Sequence, residues 1–110
     1  MIYLDWFGHL FSDSSIEELY EFAVKGLKLK PEWNHYSRNL PHFDLTTKAK
    51  QQQAIKMGAI YLDNSQELRE PMGRATEFYK QHSYPKYLSK GLVGQTIYRV
   101  DFKAMGFSWI

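Results

Sequence analysis

Apolar positions recur along this chain with two different periods, and each change of period marks an element. Ile2-Tyr3-Leu4-Asp5 is a short run of residues that suit a pleated surface, and it predicts a strand. Ser14 and Glu17 stand at capping-box spacing, and Ile16, Leu19, Tyr20 and Ala23 follow at i, i+3, i+4 and i+7. That pattern predicts an amphipathic helix over 14–25, with Gly26 as its stop. Residues 27–40 show no period beyond a single turn expected at Pro31-Glu32-Trp33. A second helix is expected from about Thr47 to Met57, closed by Gly58, and then a strand over Ala59-Ile60-Tyr61-Leu62-Asp63.

The tetrapeptide Ile-Tyr-Leu-Asp occurs at 2–5 and again at 60–63. Two such strands, buried on both faces and each ending in Asp, suit neighbours in one sheet, although the match is too short to imply duplication. Asn64 and Glu67 offer another capping box, opening a helix that Pro71 either interrupts or restarts, running to about Gln81. Residues 82–94, with Pro85, Gly91 and Gly94, predict a loop. Residues 95–103 predict a strand with Tyr98, Val100 and Phe102 on one face, and the apolar tail Phe107-Ser108-Trp109-Ile110 is expected to dock on the sheet. The order favours one small α/β or α+β domain over 1–110, a short and mostly buried sheet packed by three or four helices.

Composition narrows the classes. At 44% hydrophobic and 16% aromatic the chain has the makings of a folded core. The absence of cysteine excludes disulfides, thiolate metal sites and a cysteine nucleophile. No apolar run approaches the roughly 20 residues that span a bilayer, and Met1-Ile2-Tyr3-Leu4-Asp5 lacks a secretory pattern, so a cytoplasmic protein with no membrane partner is expected. A formal charge of +2 argues against duplex DNA as a partner, yet permits a local basic patch for a small phosphorylated ligand.

The densest chemistry lies in Pro41-His42-Phe43-Asp44-Leu45-Thr46-Thr47. His42, Asp44 and Thr46 alternate, so an extended backbone points all three to one side. The segment runs into a helix whose first turn carries Lys48 and Lys50 in place of the acidic residues the helix dipole favours, which an external anion would explain. His42 suits a phosphate donor or an acid–base group; against this, Asp44 or Thr46 would serve equally as a cap and Lys48 as a solvated cation. Arg38 would add a bidentate grip, and Trp33 and Tyr36 would flank an aromatic group. Asp5 and His9 are secondary candidates. Asp5, Asp44 and Asp63, at strand ends, form an alternative set for Mg²⁺ or Mn²⁺. The four histidines show no H-x-x-x-H spacing, so neither a zinc site nor any other metal or cofactor is expected from them.

The strand ending in Asp5, His9-Leu10, Glu18-Leu19, Ala23, Gly26-Leu27, Trp33, Pro41 to Thr46, Ala54-Ile55 and Gly58-Ala59 together resemble a small bacterial and phage family, domain of unknown function 4031, over about residues 1–62. Trp6 stands where that family's pattern has a second acidic residue. The resemblance implies positions and no mechanism.

Three functions follow as expectations. The first is binding of a nucleotide or other phosphorylated molecule at the N-terminus of helix 47–57 by Trp33, Tyr36, Arg38, His42, Asp44, Thr46, Thr47 and Lys48, conceivable as a phage sponge for a nucleotide signal. The second is a metal-dependent phosphodiesterase or nuclease using Asp5, Asp44, Asp63 and His42. The third is a protein-interaction module, with a homo-oligomer allowed. Whether the chain is an enzyme stays open at this level.

Overall fold

A computed structural model describes residues 1–91 and 93–107. The main sheet has five strands in the order β3-β4-β2-β1-β5: β1 (Ile2–Asp5), β2 (His9–Ser12), β3 (Asn34–Ser37), β4 (Leu40–Asp44) and β5 (Ile60–Leu62). Neighbours run antiparallel except β1 and β5, which are parallel. Helix α1 (Ile16–Tyr20) continues as a π-helical turn (Glu21–Gly26); α2 (Lys48–Lys56) and α3 (Ser65–Lys80) follow, and β6 (Lys86–Lys90) pairs with β7 (Thr96–Val100) in a second, two-stranded sheet. The result is a small α+β domain. No described helix is long and apolar enough to cross a membrane.

The core gathers Leu4 and Leu10 from the central strands, Phe43 from β4, Leu19 and Tyr20 from α1, and Ala75 and Tyr79 from α3. Each fully buried Leu or Phe contributes about 1.5–3 kcal/mol relative to exposure. The two sheets are joined by the buried Asn34. Its amide donates to the carbonyls of Pro31 (2.8 Å) and Val100 (3.2 Å), and its oxygen accepts the Val100 N–H at 2.8 Å. One side chain thus supplies both ladder partners that Val100 lacks, and each of those groups would cost about 1–3 kcal/mol if left unpaired.

Several expectations hold. β1 and the second Ile-Tyr-Leu-Asp strand are neighbours, the turn at Pro31–Trp33 forms as a 3₁₀ helix, and α3 starts at the cap Asn64; α2 lies where expected, but its cap is Thr47 and not Asp44 or Thr46. Others are corrected. Ser15, not Ser14, caps α1, and the helix passes into π geometry before residue 25. Gly26 does not take a left-handed conformation; Lys28 does (φ 64), and a Cβ at Gly26 would meet only the movable methyl end of Met57. β5 is an edge strand with Ile60 and Tyr61 exposed, so it is not buried on both faces. α3 runs unbroken through the buried Pro71. Strands β2, β3 and β6 arise in stretches that gave no strand signal, because His, Asn, Ser and Lys fill half their positions. On β7, Tyr98 is exposed while Val100 is buried, and Phe102 lies beyond the strand. Of the apolar tail, Phe107 packs on Tyr20 at 4.4 Å between ring centroids; positions 108–110 lie outside the described residues.

Candidate metal centre

Strand register assembles the site. Leu4 on β1 lies opposite Leu10 on β2, so Asp5 and His9 are the next residues out, joined by the tight loop 6–8. β2 pairs with β4 so that His9 lies opposite Asp44, and β4 pairs with β3 so that His42 lies opposite His35. Side chains alternate along a strand, which puts His42 and Asp44 on one face together with their cross-strand partners. The hairpin β3–β4 closes through Arg38 and Asn39, both with positive φ (53 and 60), the two-residue geometry whose twist suits a hairpin. A one-residue slip there would send His35 to the opposite face.

Hydrogen bonds then fix which nitrogen of each ring is available. His42 is buried, and its Nδ1 donates to the Leu40 carbonyl at 3.0 Å, leaving the Nε2 lone pair of the neutral ring free to bind. His9 donates from Nδ1 to Asp5 Oδ2 at 2.8 Å, which frees its Nε2 in the same way. Both Nε2 atoms lie 3.6 Å from Asp44 Oδ1, beyond hydrogen-bond range. The other Asp44 oxygen, Oδ2, lies 3.2 Å from His35 Nδ1, so the carboxylate stands among three imidazoles. His9, His42 and Asp44 thus present three ligand atoms within 4.8 Å of one another. In a tetrahedral zinc site with bonds of about 2.0–2.2 Å, ligand atoms stand roughly 3.3 Å apart, so a small inward closure satisfies a metal.

Asp5 is the anchor. It is 2% exposed; Oδ1 accepts the N–H groups of Phe7 (3.0 Å) and His9 (2.9 Å), and Oδ2 accepts the His9 ring. Burial pushes its pKa up, but those three hydrogen bonds and the His9 charge outweigh it and hold the carboxyl below its ordinary value of 3.8. The bond to Asp5 raises His9 above 6.5 despite its burial, and the charges of Asp5 and Asp44 add to this. Burial lowers His42, outweighing its bond to Leu40 and the Asp44 charge, while His9 and His35 push it the same way. Burial also lowers His35, against the attraction of Asp44 and helped by Arg99 and His9. Burial thus favours the neutral form of His42 and His35, whereas Asp5 helps His9 keep its proton to higher pH, so His9 Nε2 is free to bind only once that proton is lost.

The structure separates the residues that the sequence grouped. Asp5, His9, His42 and Asp44 come together, and His35, to which the sequence assigned no role, joins them. The spacing of the histidines gave no support for a metal site, yet pairing between strands brings together ligand-type residues that have no local spacing. Asp63 follows β5, where its N–H donates to Glu67 Oε1 at 2.7 Å, and it is not part of the cluster. Thr47 caps α2 through Oγ1, which accepts the Lys50 N–H at 3.2 Å; Thr46 and Lys48 are exposed just beyond Asp44. Arg38 sits in the hairpin turn, at the far end of β4 from Asp44. Trp33 is half-exposed with the Lys30 ammonium 5.8 Å from its ring centre, and Tyr36 is buried beneath Lys86, on the strand face opposite His35. The signal that finds His35 is the Arg38-Asn39 pair, read as a two-residue turn between alternating segments. A separate cleft of about 250 Å³, lined by Tyr36, Tyr79, His82 and Lys86 among others, includes none of the cluster. The candidate ligands themselves run from the buried His42 to the part-exposed His9 and Asp44.

No curated protein and no solved structure matches the chain. A family described as Protein of unknown function (DUF4031) matches residues 3–75, past the expected limit near 62 and on into α3. That span holds every residue of the cluster and two thirds of the chain, and the chain belongs to this family.

Proposed function

We propose that this protein binds a divalent first-row metal through His9 Nε2, His42 Nε2 and Asp44 Oδ1, and uses it for hydrolysis of phosphate esters. The observation that supports this is the pair of oriented imidazoles. Each gives away its Nδ1 proton, to Asp5 or to the Leu40 carbonyl, and turns its free nitrogen to the same carboxylate oxygen. Metal-ligating histidines are held in this way, by a carboxylate or a carbonyl on the far nitrogen. Three protein ligands on a half-exposed face leave positions for water and substrate, as catalytic zinc sites do and closed structural sites do not. A metal there lowers the pKa of a bound water and polarises the ester.

Each residue then has a task. His9, His42 and Asp44 would hold the ion, Asp5 orients His9, and His35 stands 3.2 Å from the second Asp44 oxygen. Phosphate is the favoured substrate group because the N-terminus of α2, with Thr46 and Lys48, opens directly after Asp44. Asp5 differs from the role expected of it from sequence, since its oxygens are already occupied by protein donors.

The test is calorimetry of metal-free protein with Zn²⁺ and Mn²⁺, paired with turnover of bis(p-nitrophenyl) phosphate. The expected result is one ion per chain and metal-dependent turnover, both lost in His42→Ala with the far-UV spectrum intact. Saturable binding without turnover would leave a metal-assisted phosphate-binding protein. Absence of specific binding by either ion would end the proposal.

A further inference from the structure

Beside the ion ligands stands an aromatic ring with no structural task. Phe7 is 72% exposed, yet the loop that carries it is held on all sides. Its own N–H is bonded to Asp5 Oδ1, the carboxylate that also orients His9. The next residue, Gly8, donates to the Asp5 carbonyl at 3.0 Å and accepts the Leu45 N–H at 2.7 Å. Its φ of +95 suits glycine alone, and a Cβ would collide with the Leu45 carbonyl oxygen. That carbonyl is in turn fixed by the Gln51 amide at 2.8 Å. The Trp6 ring braces Phe7 at 5.3 Å between centroids, and the ring of the metal ligand His9 lies 6.2 Å away on the other side.

A single exposed Phe on a loose loop needs no explanation. An exposed Phe on a loop pinned by the same carboxylate that orients the metal ligand does. Its neighbour His9, 6.2 Å away between ring centroids, puts Phe7 within reach of a molecule coordinated at the metal. We infer that Phe7 is a stacking platform for the base of a nucleoside phosphate whose phosphate group is held at the metal. The inference rests on the metal reading and adds the substrate class: phosphate at the ion, flat heteroaromatic ring on Phe7. Of the aromatics favoured from sequence, Tyr36 lies on the face of β3 opposite His35, and Trp33 lies in the 3₁₀ turn before that strand.

Titrations of Zn²⁺-loaded protein with adenosine 5′-monophosphate, ribose 5-phosphate and inorganic phosphate test it, with Zn²⁺ affinity measured separately. The wild type is expected to prefer the adenine compound over ribose 5-phosphate by about tenfold or more, the usual contribution of one stacked base. Phe7→Ala should bring that ratio to within about twofold while Zn²⁺ and ribose 5-phosphate bind as before, and Phe7→Tyr should restore it. A preference that survives Phe7→Ala, or no preference in the wild type, overturns the stacking role while leaving the ion site standing. Failure of Zn²⁺ to bind the wild type removes both.

Discussion

Two corners of this protein lie next to each other and carry similar polar residues, but they use them differently. At the N-terminus of α2, two polar side chains are already engaged within the chain: Thr47 Oγ1 accepts the Lys50 N–H, and the Lys50 ammonium donates to the Leu27 carbonyl at 2.6 Å and to Gln53. On the strand face one turn of chain earlier, His9 and His42 spend one nitrogen each on the protein and aim the other at a shared oxygen. A helix end with lysines attracts anions in principle, yet here Lys50 serves the scaffold and only Lys48 stays exposed beside the strand face. Surplus, oriented lone pairs distinguish a site better than local charge does.

The sharpest way to break this comparison is Asp5→Asn. An amide cannot accept on both sides at once, so one of its N–H groups must face either the backbone donors of Phe7 and His9 or the imidazole Nδ1–H. The least costly outcome is the other His9 tautomer, with the proton on Nε2, where the metal should go. Zn²⁺ affinity by calorimetry should fall about 10- to 100-fold, the usual cost of losing an orienting partner, with the fold retained. An affinity equal to wild type would mean that His9 is not held as described.

The pH dependence of the metal-free protein comes next. Asp5 is depressed, so its contribution is present above 3.8 and lost as pH falls through its lowered folded value. His9 is raised, so its contribution is complete below 6.5 and lost as pH rises through its elevated folded value. Urea melts should therefore show the pair at full strength between about pH 4 and 6.5, with the window absent in His9→Gln. Zn²⁺ affinity should run the opposite way above that window, rising as His9 gives up its proton.

Smaller effects belong to the scaffold. Thr47→Ala removes the α2 cap and should cost about 1 kcal/mol of stability, with Zn²⁺ affinity unchanged. An accompanying loss of ion binding would show that the two corners are one site. Arg38→Gly relieves a left-handed residue in the β3–β4 turn and should raise stability by about 0.5–1 kcal/mol, read as a higher urea midpoint. A fall would show that the arginine side chain does something the turn geometry does not explain.

Local chemistry made part of this protein legible without coordinates. The cap at Asn64, the stop at Gly58 and the kinship of 2–5 with 60–63 depend on neighbours within a few residues, so sequence alone determined them, whereas the α2 cap fell to Thr47 and not to the expected Asp44 or Thr46. The importance of His42 and Asp44 was legible for the same reason, since alternation is a property of the strand itself. The partners of those two residues were not. His9 meets Asp44, and His35 meets His42, only because three strands pair in one register, and that register depends on turn geometry and on which faces the apolar residues must bury. Hydrogen bonds to Asp5 and to Leu40, set by packing, then decided which nitrogen each ring offers. Spacing along the chain carries no record of such contacts, and the tertiary structure alone could turn scattered histidines into a candidate metal centre.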